Sequence, residues 1–427
     1  MCKAYKIELL TEVYMSKRRV VITGIGAITP VGHNVSQTWQ SLINGVSGVD
    51  TITHFDTSNL PTRIAAEVKN YNPEEHFDHK EVKKLDTYTQ FAMIAAREAV
   101  ADAGLVPGSF DPDRTGVITG SGIGGILTFE EETIKSYTRG PSRISPFFIP
   151  KMIGNIAAAH ISIEHNFKGI NFNVMSACAS ANHALGTAMR TIQYGDADIV
   201  ISGGTEAGVT PLAVGGFSAM RALSTRNDEP QKASRPFDAD RDGFVMSEGA
   251  AILVLEELEH ALARGAKIYA EMAGYGATGD AFHITAPTED GEGSTRAINM
   301  ALKDAGMKPT DIQYINAHGT STPLNDKGET MSIKTAFGDY AYQIKVNSTK
   351  SMVGHMLGAA AGMEAIVCVK TIESGIIHPT INLTNPDPNC DLDYTPHNAV
   401  KQVVNAALSN SLGFGGHNSA IIIKRYQ

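Results

Sequence analysis

The chain has 427 residues, with 36 Lys and Arg against 45 Asp and Glu, a formal net charge of −9 and 42% apolar residues. That balance argues against general nucleic-acid binding and against disorder, and no apolar run approaches the ~20 residues needed to span a bilayer. Four cysteines, at 2, 178, 368 and 390, show no C-x-x-C pairing, so neither a disulfide framework nor a zinc knuckle is expected and a reducing cytoplasm fits.

A chain of this length exceeds one small core, so two domains or a duplicated fold are expected. Residues 1–14 mix Lys3, Lys6, Glu8 and Glu12 with short apolar stretches. They lack the apolar block of a secretion signal and read as an extension. Met15-Ser16-Lys17-Arg18-Arg19, ahead of Val20-Val21-Ile22-Thr23, resembles a natural beginning. Val20 to Thr23 reads as a strand, and Gly24 to Pro30 as a tight glycine-rich turn. No dinucleotide site is expected there: the third glycine of the fingerprint is absent, Pro30 and Gly32 break the following helix, and no ribose-reading acid follows.

Thr87 to Ala103 reads as a helix with an apolar face of Phe91, Ile94, Ala95 and Val100, closed by Gly104. The strand Gly116 to Thr119 opens into the flexible loop Gly120 to Ile126. Gly169 to Val174 alternates as a strand, and from Ser180 the residues Ala184, Leu185, Ala188, Met189 and Ile192 recur at helical spacing up to Gly195. Cys178 therefore sits in a strand-to-helix turn, where unpaired N–H groups and the helix dipole favour thiolate and Ala177 and Ala179 leave room for a substrate. A packing cysteine fits the same window. Ile199 to Ser202, continuing to Glu206, adds another strand, and the alternation implies an α/β architecture with covered sheets.

The second half echoes the first. Ala101-Asp102-Ala103-Gly104-Leu105 ends a helix before a strand; Lys303-Asp304-Ala305-Gly306-Met307 does the same before Gln313 to Asn316. Tyr342 to Asn347 answers the strand before Cys178. Two similar halves related by a pseudo-twofold axis would bring the loops of one half against Cys178 of the other. Those loops hold His318, in Asn316-Ala317-His318-Gly319-Thr320-Ser321-Thr322-Pro323, and His355, in Lys350-Ser351-Met352-Val353-Gly354-His355 ahead of a helix carrying Met356, Ala360, Met363 and Val367. Either histidine alone could be a hydrogen-bonded structural residue. Three reactive side chains at the same position of a repeated unit point to one site.

Ser176-Ala177-Cys178-Ala179-Ser180, Asn316 to Thr322, Lys350 to His355 and Gly413-Phe414-Gly415-Gly416-His417-Asn418 resemble, in order and spacing, the four signatures of β-ketoacyl-[acyl carrier protein] synthases. Gly122-Ile123-Gly124-Gly125 and Ser145-Pro146-Phe147-Phe148 point to the type II system of bacterial fatty acid synthesis. The resemblance runs from Met15 to Gln427; Ser176 stands where Thr is frequent. It implies a thiolase fold, α/β with duplicated halves in α-β-α-β-α layers, divided as residues 15–266 carrying the nucleophile and 267–427 carrying the histidines. A cytoplasmic homodimer is implied, with no cofactor, metal, nucleic acid or membrane; the substrates ride on the phosphopantetheine of an acyl carrier protein.

The implied reaction is a decarboxylative Claisen condensation. Cys178 takes the acyl group, and neutral His318 and His355 stabilise the enolate left by malonyl decarboxylation. Lys350, countered by Glu364, orients a histidine. The N–H groups of Cys178 and Phe414 hold the oxyanion, Phe414 doubling as a gate between glycines. Thr320 and Thr322 would bind the pantetheine arm; Ile123, Phe148 and Phe217 would line the acyl pocket. Lys80, Lys83, Lys84, Arg143 and Arg221 would meet the acidic carrier. A thiolase would need a second cysteine in a C-x-G setting, which Cys390 in Pro388-Asn389-Cys390-Asp391 does not offer, and a type III synthase pairs its His with Asn where His355 stands. A polyketide-type ketosynthase remains an alternative, as does a noncatalytic chain-length factor, although such factors lack the cysteine.

Overall fold

The computed structural model describes residues 17–427, so the extension expected over residues 1–14 and the beginning at Met15 lie outside the described residues. Its principal strands are β1 (Val20–Ile28), β2 (Thr115–Gly120), β3 (Asn171–Val174), β4 (Ile199–Ala207), β5 (Glu248–Glu257), β6 (Ala270–Gly279), β7 (Tyr314–Asn316), β8 (Lys345–Asn347), β9 (Ala406–Gly413) and β10 (His417–Lys424). Their order is β8-β7-β9-β10-β6-β1-β5-β4-β2-β3. Outward from the centre the sequence of strands is β1-β5-β4-β2-β3 on one side and β6-β10-β9-β7-β8 on the other. Directions repeat too: antiparallel, antiparallel, parallel, parallel in both arms. The arms meet where Val21 and Ile22 of β1 pair with Glu271 and Ala270 of β6.

Five helices complete the frame: α1 (Thr87–Asp102), α2 (Ser180–Gln193), α3 (Glu292–Ala305), α4 (Pro323–Phe337) and α5 (Ala360–Ser374). Strand side chains alternate between two environments, as a period of two requires. Ile199, Ile201, Ala250, Ile252 and Val254 pack outward with Phe91, Ala95 and Ala99 of α1. Val200, Ala251, Leu253 and Leu255 face inward to Leu185 and Met189 of α2 and Met363 and Ile366 of α5. In the second arm Ala406, Leu408, Ala420 and Ile422 pack with Ile298 of α3 and Ile333 of α4, while Ala407, Ile421 and Ile423 join the shared middle. The result is the expected five-layered α-β-α-β-α thiolase fold. All of Ala360 to Val369 is buried, and Glu364 is the one carboxylate in that run.

The glycines that suggested a turn after Thr23 lie inside β1 instead. A Cβ on Gly24 or Gly26 would come 2.2 or 2.1 Å from the Ala99 or Ala95 carbonyl oxygen, and Gly274 and Gly276 of β6 meet Ala301 and Ala297 of α3 at 2.4 and 2.0 Å. Poor strand propensity is outweighed by the close approach of an outer helix, a tertiary effect. Asp102 accepts the Ile25 N–H at 3.0 Å and Asp304 the Tyr275 N–H at 3.0 Å, so each helix is pinned in the same way. α1 and α3 both end ahead of a left-handed glycine, Gly104 at φ 65° and Gly306 at φ 64°. Two boundaries differ from expectation: β8 starts at Lys345 after a 3-10 stretch over Gly338–Gln343, and the helix after His355 starts at Ala360. Among the described residues no helix is long and apolar enough to cross a membrane.

Candidate active site

β3 delivers the chain to a tight turn, Ala177–Ala179, that opens directly into α2. Ala177 has φ 51°, a left-handed conformation that costs a non-glycine residue of the order of 1–3 kcal/mol and is tolerated where the surroundings over-determine it. Ser180 supplies that constraint: its hydroxyl accepts the Ser176 N–H at 2.9 Å and donates to the Ala177 carbonyl at 2.7 Å. Cys178 is thereby held over the start of α2. In the second arm the turn Leu357–Ala359 opens α5 in the same way, with Leu357 at φ 44°. Gly358 occupies the place equivalent to Cys178.

His318 leaves the end of β7, where α4 holds its backbone. The N–H groups of His318 and Gly319 donate to the two oxygens of Glu329 at 2.7 and 2.8 Å. Its Nδ1 lies 3.3 Å from Nζ of Lys350, whose ammonium is ion-paired with Glu364. A lysine can only donate, so Nδ1 is the acceptor and the ring proton sits on Nε2. Lys350 and Glu364 are each 1% exposed, and removing one partner of such a pair typically costs about 3–5 kcal/mol. The His355 N–H donates to the Val245 carbonyl at 2.7 Å. Its ring meets that of His318 edge to face, with centroids 5.4 Å apart and planes at 85°, and rests on Phe244.

Cys178, His318 and His355 line a single cavity of about 490 Å³ together with Phe414. The cavity joins a nucleophile from the first arm to two imidazoles from the second. Ile123 and Phe217 form part of its wall, as do Thr320 and Thr322, whose hydroxyls are hydrogen-bonded to each other at 2.9 Å. Gly413 lets the β9–β10 hairpin approach by its backbone: a Cβ there would lie 2.7 Å from the Ser176 oxygen and 3.3 Å from the Cys178 nitrogen. Gly415 and Gly416 follow Phe414 at φ 91° and 72°.

Burial pushes both imidazoles well below their ordinary value, and the Lys350 charge pushes the same way, so both rings are neutral at physiological pH. Burial also pushes Glu329 and Glu364 up to about 7. The expectation of a depressed Cys178 thiol is not met. Burial pushes it up to about 12, with Lys350 pulling the other way; desolvation of the thiolate outweighs the helix start.

Phe148 is not part of the cavity wall; it packs against Phe129 with ring centroids 6.5 Å apart. Among the basic residues, Arg221 lines the cavity. Lys80, Lys83, Lys84 and Arg143 are exposed away from its wall, and Lys84 sits 5.8 Å over the Phe147 ring. Two carboxylates went unread in the sequence. Glu329 is one; Glu206, at the end of β4, is the other. It is fully buried and accepts from the N–H groups of Gly122 (2.7 Å), Ile123 (3.2 Å) and Gly358 (3.0 Å), tying the pocket loop to the opposite arm. The available signal was a lone charged residue near the end of an otherwise uncharged strand.

A family model for the beta-ketoacyl synthase N-terminal domain matches residues 17–261, and one for the C-terminal domain matches residues 269–384. The chain is 52% identical over 413 residues to the 3-oxoacyl-[acyl-carrier-protein] synthase 2 of Synechocystis sp., covering 97% of this chain and 99% of that protein. It is 51% identical over 410 residues to the protein of the same name from Staphylococcus aureus, covering 96% and 99%. Among solved structures, the ketosynthase of the AntDE:AntF complex, a type II PKS acyl-carrier protein with its ketosynthase bound to the hexaketide, superposes with a TM-score of 0.89 at 38% identity, covering 96% of this chain and 100% of that one.

Proposed function

From membership of the β-ketoacyl synthase family, to which the chain belongs, we propose how its residues carry out the elongating condensation of type II fatty acid synthesis. The observation that carries the reading is the convergence of Cys178, His318 and His355 on one cavity. Cys178 attacks the thioester of an acyl chain borne on the phosphopantetheine of an acyl carrier protein; the carrier leaves as its thiol, taking the cysteine proton. Malonyl carrier then enters and its C–CO2 bond breaks, the electron pair passing into an enolate. The N–H groups of neutral His318 and His355 stabilise the enolate oxygen. The enolate carbon attacks the acyl carbon, whose oxyanion is held by the N–H groups of Cys178 and Phe414, and collapse expels Cys178 as its thiolate, which takes up a proton from water. Carbon dioxide release drives the step, and no further cofactor or metal is invoked.

Lys350, balanced by Glu364, keeps His318 in the tautomer that donates into the cavity. Thr320 and Thr322 bind the pantetheine arm, and Ile123 and Phe217 bound the acyl pocket, with Phe414 as its gate. Residues 15–266 and 267–427 form the two halves. The enzyme works as a cytoplasmic homodimer. Support for the dimer comes from the sheet edge: β3 is a terminal strand, Ile170 and Met175 on either side of it are exposed, and so is Ile163 on the helix packed against it. Identity of 52% to a 3-oxoacyl-carrier synthase against 38% to a polyketide ketosynthase favours the fatty acid reading.

Incubation with acyl carrier and malonyl carrier should yield a 3-oxoacyl carrier two carbons longer than the acyl donor and one CO2 per turnover, with rates across a ladder of acyl lengths defining the pocket. Free CO2 without a longer product would reject the condensation. Arg221, at the cavity mouth, together with Lys80, Lys83, Lys84 and Arg143, forms the docking face for the acidic carrier. Arg221→Glu is expected to raise the KM for carrier-borne substrate by about fivefold at low salt with kcat little changed. Unchanged KM at every ionic strength would remove Arg221 from that face.

A further inference from the structure

Behind the two imidazoles lies a third histidine that the mechanism does not use. His378 is fully buried and follows the short strand Ile376–Ile377 that comes after α5. Its Nδ1 is 2.8 Å from the Pro379 carbonyl oxygen. An oxygen lone pair at that distance demands a donor, so the proton is on Nδ1 and Nε2 is an acceptor. Burial pushes the group down to about 4, so the ring is neutral.

The rest of the network follows from that tautomer. Nε2 of His378 lies 3.0 Å from the Thr349 hydroxyl, which must donate to it. Thr349 Oγ1 is then free to accept from Asn316 Nδ2 at 2.8 Å. The same amide nitrogen donates to the Tyr314 hydroxyl at 2.9 Å, Tyr314 donates to Asn347 Oδ1 at 2.7 Å, and Asn347 Nδ2 donates to the His378 carbonyl at 2.7 Å. Donation runs outward from the Asn316 amide along two branches, through Thr349 and through Tyr314 and Asn347, which close the ring by meeting at His378. Every member is buried, so each broken link leaves a polar group unpaired away from water.

Two members sit beside the reacting groups. Asn316 precedes His318 by two residues on β7, and Thr349 immediately precedes Lys350. Resting on the condensation proposed above, we propose that His378 is a positioning residue for malonyl decarboxylation: through Thr349 and Asn316 it sets the His318 strand end and the Lys350 turn in mutual register. The 3.3 Å contact between Lys350 Nζ and His318 Nδ1 is the distance this register controls. Cys178 hangs on a separate turn braced by Ser180, so acyl loading does not depend on the ring.

The experiment compares His378→Phe, His378→Gln and Thr349→Val with the parent enzyme in two assays, CO2 release from malonyl carrier and acyl loading of Cys178. Misplaced groups of this kind lose up to ~10²-fold in rate, so His378→Phe is expected to lower kcat for CO2 release roughly tenfold or more with KM little changed. Acyl loading should stay within about twofold, since only one half-reaction uses the ring. His378→Gln, whose side-chain oxygen can accept from Thr349, should recover most of the loss. Thr349→Val cuts the same link from the other side and should reproduce it even where His378→Phe fails to fold. A parent enzyme that releases no CO2 would overturn the condensation itself along with this role. A parent that does, alongside unimpaired CO2 release in Thr349→Val or equal loss in both assays, would overturn the positioning role alone.

Discussion

Replacing Cys178 with alanine is expected to abolish acyl transfer, leaving no acyl adduct on the protein after incubation with acyl carrier, while the parent chain gains one acyl mass at Cys178. The other described cysteines, Cys368 and Cys390, are buried and lie outside the cavity wall, so they offer no substitute. The variant should still release CO2 from malonyl carrier, because the donors for that step, His318 and His355, are untouched. Intact-protein mass and CO2 release read the two outcomes separately. An adduct on the alanine variant would end the assignment. The raised thiol adds a pH signature: with the thiolate scarce below about 12, alkylation of Cys178 should keep rising with pH through 9 and reach no plateau there.

Loss of either imidazole should have a comparable effect on the other half-reaction. His318→Ala and His355→Ala are each expected to lower malonyl decarboxylation by roughly 10²–10³-fold, the typical cost of deleting one preorganised donor to a developing oxyanion. Acyl transfer to Cys178 should suffer far less. The two variants should differ in one respect: His318→Ala also strips Lys350 of its nearest acceptor beyond Glu364. Both rings are held well below their ordinary value, so they remain neutral as pH falls through about 6.5, where a free imidazole would gain its proton. Imidazole protonation should accordingly not limit malonyl decarboxylation near that pH, where Glu329 and Glu364, pushed up to about 7, are the groups that titrate. Equal losses in both half-reactions would refute the division of labour.

Much of the frame was legible because it is stated twice. Asp102-Ala103-Gly104 and Asp304-Ala305-Gly306 each close an outer helix, and the strands before Cys178 and Lys350 recur in register. Local periodicity exposes such repeats but says nothing of strand order, which depends on long-range pairing. Gly24 and Gly26 misled for that reason: glycine weakens a strand read alone, and only the helix packed on it explains why no side chain fits. Cys178 and His318 were visible because each follows closely on a strand end, whereas His355 lies beyond the short helix Lys350–Val353 that follows β8. Glu206 and Glu329 were not, since their partners are backbone N–H groups that carry no sequence signature. The Cys178 thiol shows the same limit, because a helix start can be read locally whereas desolvation is set by the whole fold. Phe148 lay in a suggestive motif, yet its ring packs against Phe129 and is not part of the cavity wall.

The twofold frame carries a nucleophile in one arm alone, and Gly358 accounts for the asymmetry. A Cβ at that position would lie 2.2 Å from the Gly122 nitrogen and 2.8 Å from a Glu206 oxygen. The Leu357–Ala359 turn thereby nests against the loop flanking the sulfur of the other arm. A second thiol at Gly358 would wedge the two arms apart, so the frame has room for a single nucleophile.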